Sequence, residues 1–246
     1  INNNPNGINI NDNCGSTHIE GLKKVVLDNH CSLGIAYDGD GDRCLAVDEE
    51  GNEIDGDKIL AIISNYLKSK GKLKNNTVVA TVMSNLGLKK YGANNGIDIV
   101  QTKVGDRYVL EEMLKNGYNL GGEQSGHVIM LDYNPTGDGI LTSLMLIRAI
   151  LESGKRASEV ASIMRAYPQV LVNAKVANEK KFDFDKDEEI VNEIKSLEKE
   201  FEGNGRVLIR TSGTEPLVRV MLEGEDSQYL KTKAENLAAL ISKKLG

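Results

Sequence analysis

Long apolar runs are absent from this chain of 246 residues. A membrane-spanning helix needs about 20 mostly apolar residues, and no stretch of the sequence approaches that length. The sequence also lacks an excess of positive charge, because its formal net charge is −6. A negative chain is a poor candidate for non-specific nucleic-acid binding. We therefore expect neither a membrane nor a nucleic acid as a partner.

Cysteine is scarce, with only Cys14, Cys31 and Cys44 in the chain. They form no C-x-x-C pair of the kind that indicates zinc binding or redox chemistry. Cys44 lies in an apolar run, and we interpret it as a packing residue. The odd number and wide spacing favour a reducing, cytoplasmic setting.

The most informative segment is D-G-D-G-D-R at residues 38–43, here called the aspartate loop. Asp38, Asp40 and Asp42 alternate with glycines, and residues two apart point to the same side of an extended backbone. The pattern therefore predicts three converging carboxylates, which need a cation to offset their repulsion. Hard oxygen ligands completed by water or phosphate favour Mg²⁺ over Ca²⁺. Arg43 follows, and its guanidinium can hold a phosphate beside the metal.

Two other interpretations of the aspartate loop compete with a metal site. A single Asp-Gly pair is typical of hairpin turns, but two in succession followed by Arg exceed what a turn needs. An EF-hand would place an acidic residue at the twelfth position, as Glu49 does here, but it also requires Gly where Arg43 stands. The flanking segments are predicted strands rather than helices. A functional metal loop is favoured, and a strong preference for Ca²⁺ would revive the structural calcium module.

The order of predicted elements indicates an α/β fold. Strands and helices alternate from Asp55 onward, beginning at an N-cap on Asp55, which implies a mostly parallel sheet with crossover helices. From Gln169 the order becomes β, α, β, β, α, which indicates a small α+β domain. We predict a mixed-sheet α/β/α region followed by this C-terminal domain, with divisions 1–54, 55–167 and 168–246. Smaller expectations are a strand at 8–10 and a helix capped by Asp106.

The segment G-G-E-Q-S-G-H at residues 121–127, here called the sugar loop, combines glycine with polar side chains. Glu123 and Ser125 are two apart and would face the same side, and both suit sugar hydroxyls. An ordinary polar turn explains the segment equally well. His127 alone is more often a structural residue than a catalyst.

The segment R-T-S-G-T-E-P-L-V-R at residues 210–219, here called the anion loop, favours phosphate. Consecutive N–H groups in a turn form an anion-binding nest, which hydroxyls and arginine complete. The alternative is a β-turn with incidental hydroxyls. The residues that would hold the phosphate are Arg210, Thr211, Ser212, Gly213, Thr214 and Arg219.

A third polar segment, T-K-V-G-D-R at 102–107, follows a predicted strand and precedes a helix, where α/β sheets place ligand-binding residues. Lys103 is its best candidate, since a helix cap explains Asp106 fully. A metal loop, a phosphate-binding loop and a hydroxyl-binding loop together favour phosphoryl transfer on a sugar.

The three loops, in this order and spacing, resemble the metal-, sugar- and phosphate-binding loops of the α-D-phosphohexomutase superfamily. N-D-N-C-G-S-T-H at 11–18, V-G-D-R-Y-V at 104–109 and L-D-Y-N-P-T-G-D-G at 131–139 resemble the branch that interconverts glucosamine 6-phosphate and glucosamine 1-phosphate. The resemblance covers nearly the whole chain. Two other functions stay open: a phosphomannomutase/phosphoglucomutase, and a non-catalytic fragment that binds phosphosugar and metal.

The resemblance implies a mechanism in which a phosphoserine beside Mg²⁺ phosphorylates the sugar and then recovers the other phosphate from the bisphosphate. The aspartates of the aspartate loop would hold Mg²⁺, Arg43 would contact the phosphoserine, and Lys103 would assist proton transfer or contact substrate. Glu123 and Ser125 would bind hydroxyls, with His127 beside them. The anion loop would hold the phosphate that is not transferred.

The serine loop of that superfamily, T-A-S-H-N or a close variant, occurs nowhere in these 246 residues. We therefore expect the chain to be the C-terminal portion of a longer protein, with the upstream domains as its partners in the phosphosugar site. A homodimer is left open.

The missing serine loop predicts that this chain alone forms no sugar bisphosphate, because no residue is available to carry the transferred phosphoryl group. A single-turnover assay with phosphosugar and Mg²⁺, followed by chromatography of the sugar phosphates, measures this directly. A full-length relative, phosphorylated on its serine, is the control. Bisphosphate formed by this chain alone would contradict the prediction.

Overall fold

The computed structural model describes all 246 residues and divides between Arg165 and Ala166 into two units. Unit 1 comprises residues 1–165 and unit 2 residues 166–246. The finer separation of residues 1–54 from 55–167 stays a prediction. The mixed α/β fold class, with a small α+β C-terminal part, is confirmed.

Unit 1 begins with a small antiparallel sheet. Its strands are β1 (Leu33–Tyr37), β2 (Cys44–Asp48) and β3 (Glu53–Ile54), in the order β1-β2-β3, and α1 (Glu20–Asp28) packs against it. Residues 8–10, expected to form a strand, lie in turns instead. Ile8 and Ile10 are 88% and 69% exposed, so these apolar residues have no neighbouring strand to cover them.

The second sheet of unit 1 follows in sequence and is mostly parallel. Strand β4 (Thr77–Thr81) lies between parallel neighbours β5 (Asp98–Thr102) and β6 (Leu120–Gly122), and β7 (Val128–Met130) adds an antiparallel edge. The helices are α2 (Gly56–Ser69), α3 (Leu86–Asn95), α4 (Asp106–Asn116), α5 (Gly139–Ser153) and α6 (Ala157–Ala161). The predicted helix–strand alternation is confirmed.

The ends of these helices follow local chemistry. Asp55 and Asp138 are N-caps whose carboxylates accept hydrogen bonds from Lys58 N and Leu141 N, as Asp residues commonly do. The expected cap at Asp106 was wrong, because Gly105 occupies the cap position and Asp106 is the first helical residue. A carboxylate there still interacts favourably with the helix dipole.

The core of unit 1 forms where α2 crosses the second sheet. Helix α2 buries Ile59, Leu60 and Ile63 completely, and they pack with β4 residues such as Val78 and Ala80. Cys44 is also fully buried, and burial raises the pKa of its thiol to about 12. This confirms that Cys44 is a packing residue, since its thiolate is strongly disfavoured.

Unit 2 is a three-stranded antiparallel sheet with two helices. Its elements are β8 (Gln169–Lys175), α7 (Glu188–Glu200), β9 (Arg206–Thr211), β10 (Leu217–Glu223) and α8 (Ser227–Leu245), and the strand order is β8-β10-β9. Its separate core includes Ile190 and Leu197 of α7, Val220 of β10 and Leu237 of α8, all at most 1% exposed. No helix of either unit combines the length and the apolar character that a membrane crossing requires.

Helix α2 begins directly against the sugar loop, and this contact needs glycine at position 56. A Cβ on Gly56 would lie 2.1 Å from Glu123 O and 2.7 Å from Gly126 N, both backbone atoms. We expect Gly56→Ala to destabilise the chain by about 1–3 kcal/mol, because the backbone of the sugar loop cannot move away from the added methyl group. Urea unfolding followed by circular dichroism measures the change.

Gly21→Ala is the matched control, because Gly21 is also helical but has open space around its missing Cβ. This variant should stabilise the chain by about 0.5–1 kcal/mol, since alanine loses less backbone entropy than glycine in a helix. Equal stability of the two variants would contradict the packing argument.

Candidate phosphosugar site

The aspartate loop, residues 38–43, connects the antiparallel strands β1 and β2. Asp38 organises it: Oδ1 accepts hydrogen bonds from Gly41 N at 3.1 Å and Arg43 N at 3.2 Å, while Oδ2 lies 3.3 Å from Arg43 Nε. Its side chain is only 4% exposed. Asp38 therefore folds the turn and holds Arg43 at its end.

Asp42 carries the least satisfied polar atom of the loop. Its Oδ1 is buried, has no hydrogen-bond partner and lies 4.0 Å from Arg43 Nε, and its Oδ2 lies 3.6 Å from His127 Nε2. Burial first, and then the neighbouring Asp38, raise the pKa of the Asp42 carboxyl. A buried carboxylate oxygen without a donor, next to a second carboxylate, is chemistry that suits a hard cation.

The three aspartates do not converge as expected. Asp40 is exposed, whereas Asp38 and Asp42 are half-buried, and no three His, Cys, Asp or Glu side chains of the chain are arranged to hold a metal ion. The expectation assumed an extended backbone, in which alternate side chains share one side. The loop instead turns at Gly41, whose φ is +73°, and Asp38 bonds to its inner N–H groups.

The sugar loop forms the hairpin between β6 and β7, with its first two glycines inside β6. Glu123 N donates to His127 O at 2.9 Å and Gly126 N to Glu123 O at 3.0 Å. The hairpin is joined to the aspartate loop through an isolated antiparallel bridge between Arg43 and His127 and a bond from Cys44 N to Gly126 O at 3.1 Å. The two loops predicted to bind metal and sugar therefore share backbone hydrogen bonds.

The segment at 102–107 also reaches the sugar loop. Gly105 N donates to Glu123 Oε1 at 2.9 Å, which leaves Glu123 Oε2 without a protein partner. Lys103 is exposed, and the side chain of Arg107 points along α4 to Glu111 Oε1 at 2.7 Å. Ser125 lies exposed at the tip of the hairpin. Unit 1 thus carries Arg43, Lys103, Glu123 and Ser125 on three loops, two of which are hydrogen-bonded to the sugar loop.

The loop at 132–139 encloses His127, a role that was not predicted from the sequence. A Cβ on Gly137 would lie 2.2 Å from His127 Nε2, and Gly139 N donates to Gly41 O at 2.9 Å. His127 is consequently enclosed between Asp42 and Gly137 and is only 6% exposed. The signal was the T-G-D-G run, in which two glycines permit close backbone approach.

The anion loop of unit 2 joins β9 to β10. Ser212 is 4% exposed, its N–H donates to Leu217 O at 2.9 Å, and its Oγ accepts from Glu215 N at 3.2 Å. Gly213 and Thr214 are exposed at the tip, and Thr211 ends β9. The buried serine fixes the turn, while the residues after it present their groups to solvent.

Two arginines face each other at the base of the anion loop. Arg210 and Arg219 are directly paired across β9 and β10. Burial, and then the charge of Arg219, lower the pKa of Arg210, which makes no ion pair, whereas Arg219 Nη2 lies 3.2 Å from Glu215 Oε2. A bound anion between two such cations would relieve their repulsion. This supports the phosphate interpretation over an incidental turn.

Comparison with known proteins defines the class. The model of the phosphoglucomutase/phosphomannomutase α/β/α domain III matches residues 55–167, and that of the C-terminal domain of the same family matches residues 171–240. Together these segments make up about three quarters of the chain. The chain belongs to the phosphohexomutase family.

Curated relatives similar to this chain share one activity, that of phosphoglucosamine mutase. Phosphoglucosamine mutase of Caldicellulosiruptor saccharolyticus is 59% identical over 245 residues, and that of Clostridium acetobutylicum is 62% identical over 244 residues. The alignments cover 100% and 99% of this chain but 55% and 54% of those proteins. The chain therefore spans about half the length of the curated relatives that it matches.

Solved structures agree on the fold. Aspergillus fumigatus N-acetylphosphoglucosamine mutase, studied as an antifungal target, superposes with a TM-score of 0.76 at 22% identity, over 95% of this chain and 53% of that one. The same enzyme in complex with GlcNAc-6P and magnesium gives a TM-score of 0.75 at 21% identity, over 96% and 54%.

The position of Asp42 generates a prediction about metal-free stability. Asp42→Asn should raise the melting temperature by a few degrees at neutral pH, because it removes one of two adjacent carboxylates. The pKa of Asp42 is higher in the folded chain than in the unfolded one, so the folded state binds more protons between these two pKa values. Stability therefore falls as the pH rises from the unfolded pKa through the folded pKa. The variant should lose this pH dependence in thermal melts between pH 4 and 8.

The effect of Mg²⁺ on the melting temperature tests whether the same carboxylates bind a cation. Added Mg²⁺ should raise the melting temperature of the unaltered chain, since a ligand of the folded state stabilises it, and should raise that of Asp42→Asn much less. Asp98→Asn, at an exposed position of β5, is the control and should behave as the unaltered chain. An equal Mg²⁺ response in Asp42→Asn would contradict a role for Asp42 in cation binding.

Proposed function

We propose that this chain is the sugar- and phosphate-binding part of a phosphoglucosamine mutase, which interconverts glucosamine 6-phosphate and glucosamine 1-phosphate. The observation that carries the proposal is an identity of about 60% along the whole chain to curated phosphoglucosamine mutases. In the reaction a phosphoserine gives its phosphoryl group to the free hydroxyl of the substrate. The resulting bisphosphate returns its other phosphoryl group to the serine.

The loops of unit 1 bind the sugar in this proposal. Glu123 has one oxygen fixed by Gly105 N, so its second oxygen is oriented and available to accept a hydrogen bond from a hydroxyl. Ser125 is exposed two residues further on and offers a hydroxyl as donor or acceptor. Lys103 and Arg43 bring positive charge to the same group of loops. His127, buried against Asp42, positions the sugar loop.

The anion loop of unit 2 binds the phosphate that is not transferred. Arg210, Arg219 and the exposed N–H groups of Gly213 and Thr214 offer donors of the kind that phosphate oxygens accept. Because Arg210 has no carboxylate partner, it is available for the anion without first breaking an ion pair. Ser212 and Thr211 keep the turn in place.

The aspartate loop fits Mg²⁺ through the orphaned oxygen of Asp42 and the adjacent Asp38, with Asp40 on the same loop. The ion, when bound, neutralises charge on the phosphoryl group being transferred. Asp38 holds Arg43 Nε at 3.3 Å and so directs a guanidinium toward the same place. Upstream domains of the same polypeptide supply the phosphoserine, and a homodimer is compatible with this arrangement. The three unpaired cysteines support a cytoplasmic setting.

Calorimetric titration of the chain with phosphosugars, in the presence of Mg²⁺, tests the proposal. Glucosamine 6-phosphate should bind more tightly than glucose 6-phosphate. Arg210→Ala should weaken binding of both about tenfold or more, because a charge-assisted contact to phosphate is lost. Arg148→Ala, which removes an exposed guanidinium elsewhere, is the matched control and should leave the affinity unchanged.

The outcomes separate the alternatives. Equal affinity for the two sugars would contradict the amino-sugar assignment and favour a phosphomannomutase/phosphoglucomutase. An unchanged affinity in Arg210→Ala would contradict the assignment of the anion loop. The full-length relative, titrated in parallel, shows whether upstream domains are needed for tight binding.

A further inference from the structure

Lys181 is a buried cation in unit 2 that the functional assignment leaves unexplained. It lies in the turns between β8 and α7, and only 8% of the residue is exposed. Lysine is almost never this buried unless it is paired. Lys181 makes no ion pair: its Nζ donates to Ser212 O at 3.3 Å and lies 5.2 Å from the centre of the Phe182 ring.

The single hydrogen bond of the Lys181 side chain joins it to the anion loop. Ser212 is the buried residue on which the turn of the anion loop depends. The other end of the loop is tied to the residue that follows β8, because Val176 N donates to Pro216 O at 3.1 Å. Lys181 therefore holds the start of the loop, and Val176 holds its end.

The charge of Lys181 adds to that of the two arginines. Arg210 and Arg219 already face each other at the base of the loop, and the pKa of Arg210 is lowered. A third cation bonded to the start of the same loop opposes folding of the empty loop, and Lys181 has no carboxylate to offset this cost. Arg219 has a carboxylate partner in Glu215, so a bound anion would chiefly compensate Lys181 and Arg210.

We propose that Lys181 is a positioning residue for the anion loop: it fixes the Ser212 carbonyl, so that the loop is pre-formed, and its ammonium strengthens binding of a phosphate monoester. This inference rests on the proposed phosphate-binding role of the loop. Lys181 acts through Ser212, since its Nζ is bonded to that carbonyl.

Two measurements on the whole chain test the inference, one without ligand and one with glucosamine 6-phosphate. Hydrogen–deuterium exchange of residues 212–216 should be faster in Lys181→Met, which keeps an unbranched side chain one atom shorter but removes its donor and charge. The affinity of this variant should fall about tenfold, as expected for loss of a charged hydrogen bond.

Lys181→Arg keeps the donor and the charge and should restore most of the affinity and of the exchange protection. It also keeps the test valid if Lys181→Met fails to fold. Lys180→Met is the matched control, because Lys180 is exposed and its side chain makes no hydrogen bond or ion pair. It should match the unaltered chain in both measurements.

Unchanged exchange at 212–216 in Lys181→Met would overturn the positioning role whatever the ligand does. Faster exchange with unchanged affinity would overturn the role in anion binding. If neither the unaltered chain nor the full-length relative binds phosphosugar although Lys181→Met loosens the loop, the proposed function fails, and Lys181 serves the fold alone. Lower affinity that Lys181→Arg restores supports the inference.

Discussion

Unit 1 depends on backbone hydrogen bonds that join its loops. Cys44 N donates to Gly126 O, Gly56 N to Gln124 O and Gly139 N to Gly41 O, each at 2.9–3.1 Å. Such bonds carry no side-chain information, but they fix the distance between loops that come from different parts of the chain. The functional side chains then take their positions from the backbone, with little freedom to drift apart.

Unit 2 achieves a fixed loop by different means. Its turn is the connection of a simple antiparallel hairpin, and buried polar groups hold it: Ser212 within the loop and Lys181 beneath it. A buried charge costs free energy, so this arrangement is less stable than an apolar one of the same shape. An anion bound at the loop would offset this cost, because its negative charge would interact with the buried ammonium of Lys181.

Much of this could be predicted from the sequence, for identifiable reasons. Helix starts at Asp55 and Asp138 follow from capping chemistry, and the strand β4 from its unbroken β-branched run. The three loops were found because glycine and charged residues cluster in them. That Asp38, Asp40 and Asp42 do not converge was not predictable, because Gly41 N and Arg43 N donate hydrogen bonds to Asp38 Oδ1 and so bend the backbone. The partners of His127 and Lys181 depend on tertiary contacts, which no local pattern encodes.

The glycines at the loop contacts also constrain how such a protein can diverge. At Gly56, Gly126, Gly137 and Gly139 an added methyl group would meet backbone or an imidazole ring within 2.8 Å. Drift at these positions is therefore blocked by geometry, independently of any selection for activity. Variation is permitted at the exposed loop tips, such as Asp40, Lys103 and Ser125. New substrate preferences in such a lineage would arise at those tips, on an otherwise unchanged frame.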